Sequence, residues 1–118
     1  SIYDQKNNYL KFIKQLFKGQ YIDSLKGTIF ENDSILNVKY QMISKELKEK
    51  PINGMKFYFT FEKFRDVQRK WITYRDVNAR FFSELSPRYN KYYWINYLTN
   101  QRVNDFNNLI ELIDVYKD

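Results

Sequence analysis

Five polar side chains stand where helical spacing calls for apolar ones. Asp33 and Asn37 fall on the apolar side of one stretch, Gln68 and Arg75 on that of a second, and Arg102 near the middle of the stripe of a third. The chemistry open to such a set is pairing across a helix interface. An unpaired buried guanidinium costs several kcal/mol, so each Arg would need a carboxylate or carbonyl partner. Asp33 is the one carboxylate among the five. The set therefore predicts that Asp33 or Asn37 hydrogen-bonds Arg75 or Arg102 between helices. Such a network fixes helix register and performs no reaction. The competing reading is that all five sit at stripe edges and snorkel their polar ends to water.

Reaction chemistry has few other candidates. The chain holds no Cys and no His. That removes thiol nucleophiles, imidazole bases, disulfides and Cys/His zinc sites together. Glu46 with Glu49 and Glu62 with Asp66 are carboxylate pairs. Their spacing is that of a solvated helix face rather than of two carboxyls across a cleft. Gly19, Gly27 and Gly54 are isolated, so no glycine loop cradles a phosphate, and no calcium-loop spacing of carboxylates occurs. The expectation is a non-enzyme with no cofactor and no metal.

The elements that must position the five residues read as helices. The sequence predicts an all-α, single-domain antiparallel bundle of about four helices, at about 3–18, 29–50, 56–85 and 89–116. The first carries Tyr9, Phe12, Ile13 and Leu16 at helical spacing, and Gly19 is read as its stop. Residues 20–28 are ambiguous. The second carries Ile29, Leu36, Tyr40, Ile43 and Leu47 on one face, until Lys50-Pro51 and Asn53-Gly54 break it. The third carries Phe57, Phe64, Val67, Trp71, Phe82 and Leu85 within about 40° of one line. Its run from Met55 to Phe61 also resembles a strand, but Phe57 and Phe61 continue the stripe, so helix is preferred. Opposite charges at Asp66–Lys70, Asp76–Arg80 and Arg80–Glu84 suit its exposed side. The fourth, after Ser86-Pro87, keeps Ile95, Leu98, Phe106, Leu109, Ile113 and Tyr116 in phase.

The polar residues also carry a resemblance. Asp33-x-x-Leu36-Asn37-x-x-Tyr40 resembles the D-x-x-L-N-x-x-Y element of the LprI-type lysozyme-inhibitor family. Gln68-x-x-Trp71-x-x-Tyr74-Arg75-Asp76 is similar to its Q-x-x-W-x-x-Y-R-D element, and Leu98-Thr99-x-x-Arg102-x-x-x-Phe106 to its closing L-T-x-x-R element. The three follow in order over about residues 33–106. The resemblance implies a small, exported, mostly helical bacterial protein that binds and blocks a lysozyme or other cell-wall hydrolase. It also implies a disulfide that this chain lacks: the family's two cysteine places hold residues such as Ala79 and Trp94. Packing around Trp94 is the expected substitute. The motif residues read as internal, and so as determinants of the fold.

Charge and aromatic content bear on the partner. Lys and Arg number 20 against 14 Asp and Glu, a net +6, and aromatics make up 19%. A +6 inhibitor is repelled at long range by strongly basic animal lysozymes, although Asp105, Glu111, Asp114 and Asp118 form an acidic C-terminal patch. An immunity protein that neutralises a toxin from neighbouring bacteria is the alternative. A second alternative is a nucleic-acid-binding helical module using Lys63, Arg65, Arg69, Lys70 and Arg80. The interleaved Glu62, Asp66, Asp76 and Glu84 and the lack of a known motif argue against nucleic acid as a partner. The partner-binding segment expected for a protein target is Ser86 to Tyr93, with Arg88, Tyr89, Tyr92 and Tyr93, since Tyr and Arg concentrate at interface centres. No stretch is long and apolar enough to span a membrane. The chain begins at Ser1 rather than Met, which fits a removed signal peptide and a periplasmic or otherwise exported protein.

Overall fold

A computed structural model describes the backbone of residues 2–54, 57–86 and 88–117, with side chains over 21–116 within them and at residues 5, 8, 11, 18 and 19. Three helices and one small hairpin follow in order: α1 (Ile2–Glu49), β1 (Ile52–Asn53), β2 (Tyr58–Phe59), α2 (Phe61–Leu85) and α3 (Lys91–Lys117). The expected four helices are three, because the first two are one helix of 48 residues. Gly19 does not stop it. An interior glycine costs a helix only about 1 kcal/mol, and no proline follows to exploit the break. Residues 20–28 instead bring Leu25 and Ile29 into phase with Leu36 and Ile43. The side chains of Tyr9, Phe12, Ile13 and Leu16 lie outside the described set.

Within the helix expected from residue 56, Tyr58–Phe59 is a strand and the helix begins only at Phe61. Ile52 pairs with Phe59 and Asn53 with Tyr58 in an antiparallel ladder, and the Gly54 amide closes it by donating to the Phe57 carbonyl at 2.9 Å. Ile52 is buried in the core through this hairpin. Helix α2 starts only after Thr60, whose extended backbone and side-chain oxygen cap the Lys63 amide at 3.3 Å. Phe57 is therefore off the α2 stripe and 42% exposed. Val67 and Leu85 are exposed too. Both fall about 60° to one side of Phe64, whereas the buried face turns the other way toward Gln68 and Ala79. Asn90 begins α3 by accepting from the Tyr93 amide at 3.0 Å. At the far end Tyr116 is 47% exposed.

Helix α3 packs against both of the others, and α1 touches α2 least. Asn32 meets Asn96 at one end, and Ile43 lies with Ile110 and Ile113 at the other, so α1 and α3 run parallel. Helix α2 runs antiparallel to both, with Arg75 at the level of Asp33 and Thr99, and Gln68 at the level of Arg102. The core joins Leu36, Ile43, Leu47, Ile52, Phe64, Phe106 and Ile113. The molecule measures 76 × 24 × 18 Å. Helix α1 alone accounts for about 72 Å, and its first turns run past α2 and α3. Among the described residues no helix is long and apolar enough to cross a membrane.

Candidate functional site

Three helices each contribute one turn-spaced set to a single locality. Leu36 is 5% exposed and anchors α1 there. Tyr40, one turn on, stacks on Phe64 of α2 with centroids 5.1 Å apart, and Phe64 meets Phe106 of α3 at 5.4 Å. These apolar contacts set the depth at which the neighbouring polar residues sit.

Arg75 is the hub. Its Nη1 donates to Asp33 Oδ1 at 2.8 Å and to Thr99 Oγ1 at 3.3 Å, joining all three helices. Its Nε donates to Asp76 Oδ1 at 3.0 Å. Thr99 is fully buried and passes its own proton to the Ile95 carbonyl at 2.7 Å. A second pair lies one turn away, where Arg102 Nε donates to Gln68 Oε1 at 3.0 Å. Gln68 is buried, and the nearest carboxylate to Arg102 is Asp105 at 3.9 Å. Burial lowers the Arg102 pKa from its ordinary value, and the Asp105 charge only partly opposes that. Trp71 lies between the two arginines, with each guanidinium 5.5 Å from its ring. Arg102 also covers Phe106 at 4.9 Å. Two cations on an aromatic ring in a partly dry site attract by about 1 kcal/mol or more each.

Not every expected member joins. Asn37 is exposed and hydrogen-bonds none of them. Tyr74 is 51% exposed, and Asp76 reaches Arg75 from a largely solvated position. The motif residues are thus not all internal. Because α1 and α2 pack sparsely, they leave a cleft of about 300 Å³ between them. Asp33, Asn37, Tyr40, Gln68, Trp71 and Arg75 line it, and Arg65, Arg69 and Ile72 complete its rim. Asp66 and Asp76 pair with the adjacent Arg65 and Arg75 rather than with bases one turn away. Arg69 makes no ion pair among the described residues and stands exposed at the mouth. The arrangement can receive a polar or anionic group. It offers no nucleophile–base pair and no opposed carboxylates.

One polar contact had only a faint signal in the sequence. Asn32 Nδ2 donates to Asn96 Oδ1 at 3.2 Å, and Asn96 Nδ2 donates to the Leu25 carbonyl at 3.1 Å. Asn96 is buried, and it ties α3 to α1 near the start of the bundle. The helical phase of Asn32, one turn before Leu36, is the only pointer to it.

The Tyr-rich turn is an aromatic stack rather than a loose loop. Tyr89 stacks on Tyr93 at 4.2 Å, and Arg88 lies 5.5 Å above Tyr89. Trp94 sits at the centre, 5.0 Å from Phe82, 5.2 Å from Tyr93 and 5.7 Å from Tyr97. Tyr92 belongs to the first turn of α3 and lies beneath Lys26 of α1 at 5.1 Å. Of the four residues expected to meet a partner, Arg88 is exposed and Tyr89, Tyr92 and Tyr93 are half-buried. Pro87 lies outside the described residues.

A family model described as Lysozyme inhibitor LprI matches residues 23–106. That span is well over half of the chain, and it holds the whole polar network and both walls of the cleft. Searches of curated proteins and of solved structures found no match.

Proposed function

The chain belongs to the LprI lysozyme-inhibitor family, and from that premise we propose that it is an exported, non-catalytic protein that binds and blocks a lysozyme or another cell-wall hydrolase. The carrying observation is that the matched residues 23–106 enclose a cleft with uncommitted polar groups at its mouth. Asn37 and Arg69 are free to donate there, above a floor of Trp71 and Arg75. Two donors over an aromatic floor suit a carboxylate or amide on a protruding loop of the hydrolase. Arg88, Tyr89, Tyr92 and Tyr93 supply a second, pre-stacked contact surface, whose rigidity lowers the ordering cost of binding.

The net charge of +6 favours a neutral or acidic hydrolase over a basic one. The same charge favours the second reading, an immunity protein against a toxin of neutral or acidic character. Lysis of cell-wall suspensions separates the two. The inhibitor reading expects slowed lysis by at least one wall hydrolase. Arg69→Ala and Asn37→Ala should each weaken inhibition by about tenfold, without a change in melting temperature. Replacing Tyr89, Tyr92 and Tyr93 by Ala should weaken it further. No slowing of basic, neutral or acidic hydrolases would defeat this reading. Protection of cells from a delivered toxin would then support the immunity role.

A further inference from the structure

Helix α2 carries a second apolar stripe, on the side turned away from the core. Val67, Tyr74, Val77, Phe81 and Leu85 lie within about 40° of one line along the helix. All five are exposed, by 51 to 66%. The stripe exists because the buried face of α2 turns toward Gln68 and Ala79 instead. From Val67 to Leu85 it runs about 27 Å. Phe81 rests against Phe82 with ring centroids 5.9 Å apart, so part of the stripe is already positioned. Two opposite charges accompany it. Lys70 lies about 20° and Glu84 about 60° from the line, on the same side of it. Both are exposed, and neither makes an ion pair among the described residues.

We propose that a second copy of this chain covers this face, with the two α2 helices packed antiparallel about a two-fold axis at Val77. A two-fold interface must be its own complement, and the spacing on α2 meets that demand. Val77 meets Val77 of the second copy on the axis. Lys70 and Glu84 stand at equal distances on either side of Val77, so each Lys70 comes level with a Glu84 of the other copy, and the pair forms twice. They also lie on the same flank, as an antiparallel two-fold requires. Tyr74 comes within one residue of the level of Phe81, and Val67 within two of Leu85, on the other flank. Lys63, on the same line before Val67, is already held by the Tyr58 carbonyl at 2.7 Å, and its level position lies beyond the end of α2 in the second copy. A bilayer would answer the five apolar residues but would desolvate Lys70 and Glu84 separately, since about 21 Å divides them along one helix. The cleft residues of α2 lie about 80° or more around the helix from the stripe, so the dimer leaves the cleft open.

Sedimentation of the purified chain over a concentration series should show a monomer–dimer equilibrium. Val77→Glu should weaken it by about tenfold or more, because it sets two carboxylates together on the axis. The melting curve should be kept, since Val77 is 63% exposed. Lys70→Glu and Glu84→Lys should each weaken it about fivefold by placing like charges level. The two single variants mixed in equal amounts, or the double variant, should restore it. The absence of cysteine allows a register test. Val77→Cys should form a disulfide-linked dimer under mild oxidation, and Asn104→Cys, exposed on α3, should not. A chain that stays monomeric at every concentration overturns the proposal. So does a double charge swap no better than the single ones, or equal cross-linking of the two cysteine variants. Val77-dependent binding of a monomeric chain to anionic lipid vesicles would overturn it too and assign the face to a membrane surface. None of these readouts depends on inhibition of a hydrolase.

Discussion

Arg75 is held by three oxygens, Asp33 Oδ1, Asp76 Oδ1 and Thr99 Oγ1, and its side chain is 13% exposed. Asp33 is 43% exposed, so water can rehydrate it when the pair is broken. The energetic weight of the contact therefore rests on the Arg75 side. Arg75→Ala should lower stability by about 2–3 kcal/mol, below the full penalty for orphaning a buried charge. Asp33→Asn, which keeps an acceptor, should cost less than about 1 kcal/mol. A double-mutant cycle by chemical denaturation checks both values, and a coupling near zero would show that Arg75 acts through Thr99, Asp76 and Trp71 rather than through Asp33. Arg102 presents the opposite case. Burial disfavours its charge and its nearest carboxylate is 3.9 Å away, so Gln68 and two aromatic rings hold it instead. Arg102→Met should cost about 1–2 kcal/mol by stranding the buried Gln68 carbonyl. The double variant Gln68→Leu with Arg102→Met should return to within about 1 kcal/mol of the parent, because an apolar pair needs no partner. Thermal unfolding of the two variants decides between a stability role and a purely register-setting one.

At the scale of elements, helical phase revealed the bundle-facing residues but not where helices stop. Leu36, Ile43, Leu47, Phe64, Phe106 and Ile113 are core in both readings, because burial follows the 3.6-residue period directly. Gly19 misled because a lone glycine costs too little to end a helix. The run Phe57–Phe61 misled because aromatic residues fit a pleated strand and a helical stripe equally well over so short a length. Only the pairing of Ile52 with Phe59 decides between them, and that contact is non-local. The polar contacts of Arg75 were legible because an arginine on a stripe centre demands a partner. The cleft was not, since its existence depends on how loosely α1 packs on α2. The hairpin makes a prediction of its own. Thr60 is the residue that ends the strand and starts α2, so Thr60→Ala should cost about 1 kcal/mol and fray the first turn. Amide exchange at Lys63 should then speed up while exchange at Phe64-centred core positions stays slow. Unchanged protection at Lys63 would assign the helix start to the hairpin pairing instead.

For the whole molecule, shape and charge act together on recognition. The radius of gyration is 20.7 Å, against roughly 13.5 Å for a compact domain of this length. The net charge of +6 is thus spread along a rod far longer than the screening length of about 10 Å at 0.1 M salt. A hydrolase approaching the cleft feels the local field of Arg65, Arg69 and Lys70 rather than the sum of all charges. Exposed Asp105, Glu111 and Asp114 lie on α3 and are not among the residues that line the cleft. Long-range steering changes the association rate much more than the dissociation rate. For an acidic hydrolase, raising salt from about 0.02 to 0.3 M should slow association roughly tenfold and leave dissociation nearly constant. For a strongly basic lysozyme the same change should speed association, because it screens repulsion. Stopped-flow or surface-binding kinetics with Arg69→Ala as the comparison measures the share of this effect that belongs to the cleft. If that variant keeps the parental salt slope, the charges along the rest of the rod do the steering and the cleft only anchors the bound state. A salt-independent association rate would instead show that charge steers neither surface, and recognition would rest on ring contacts such as those of the Tyr89–Tyr93 stack.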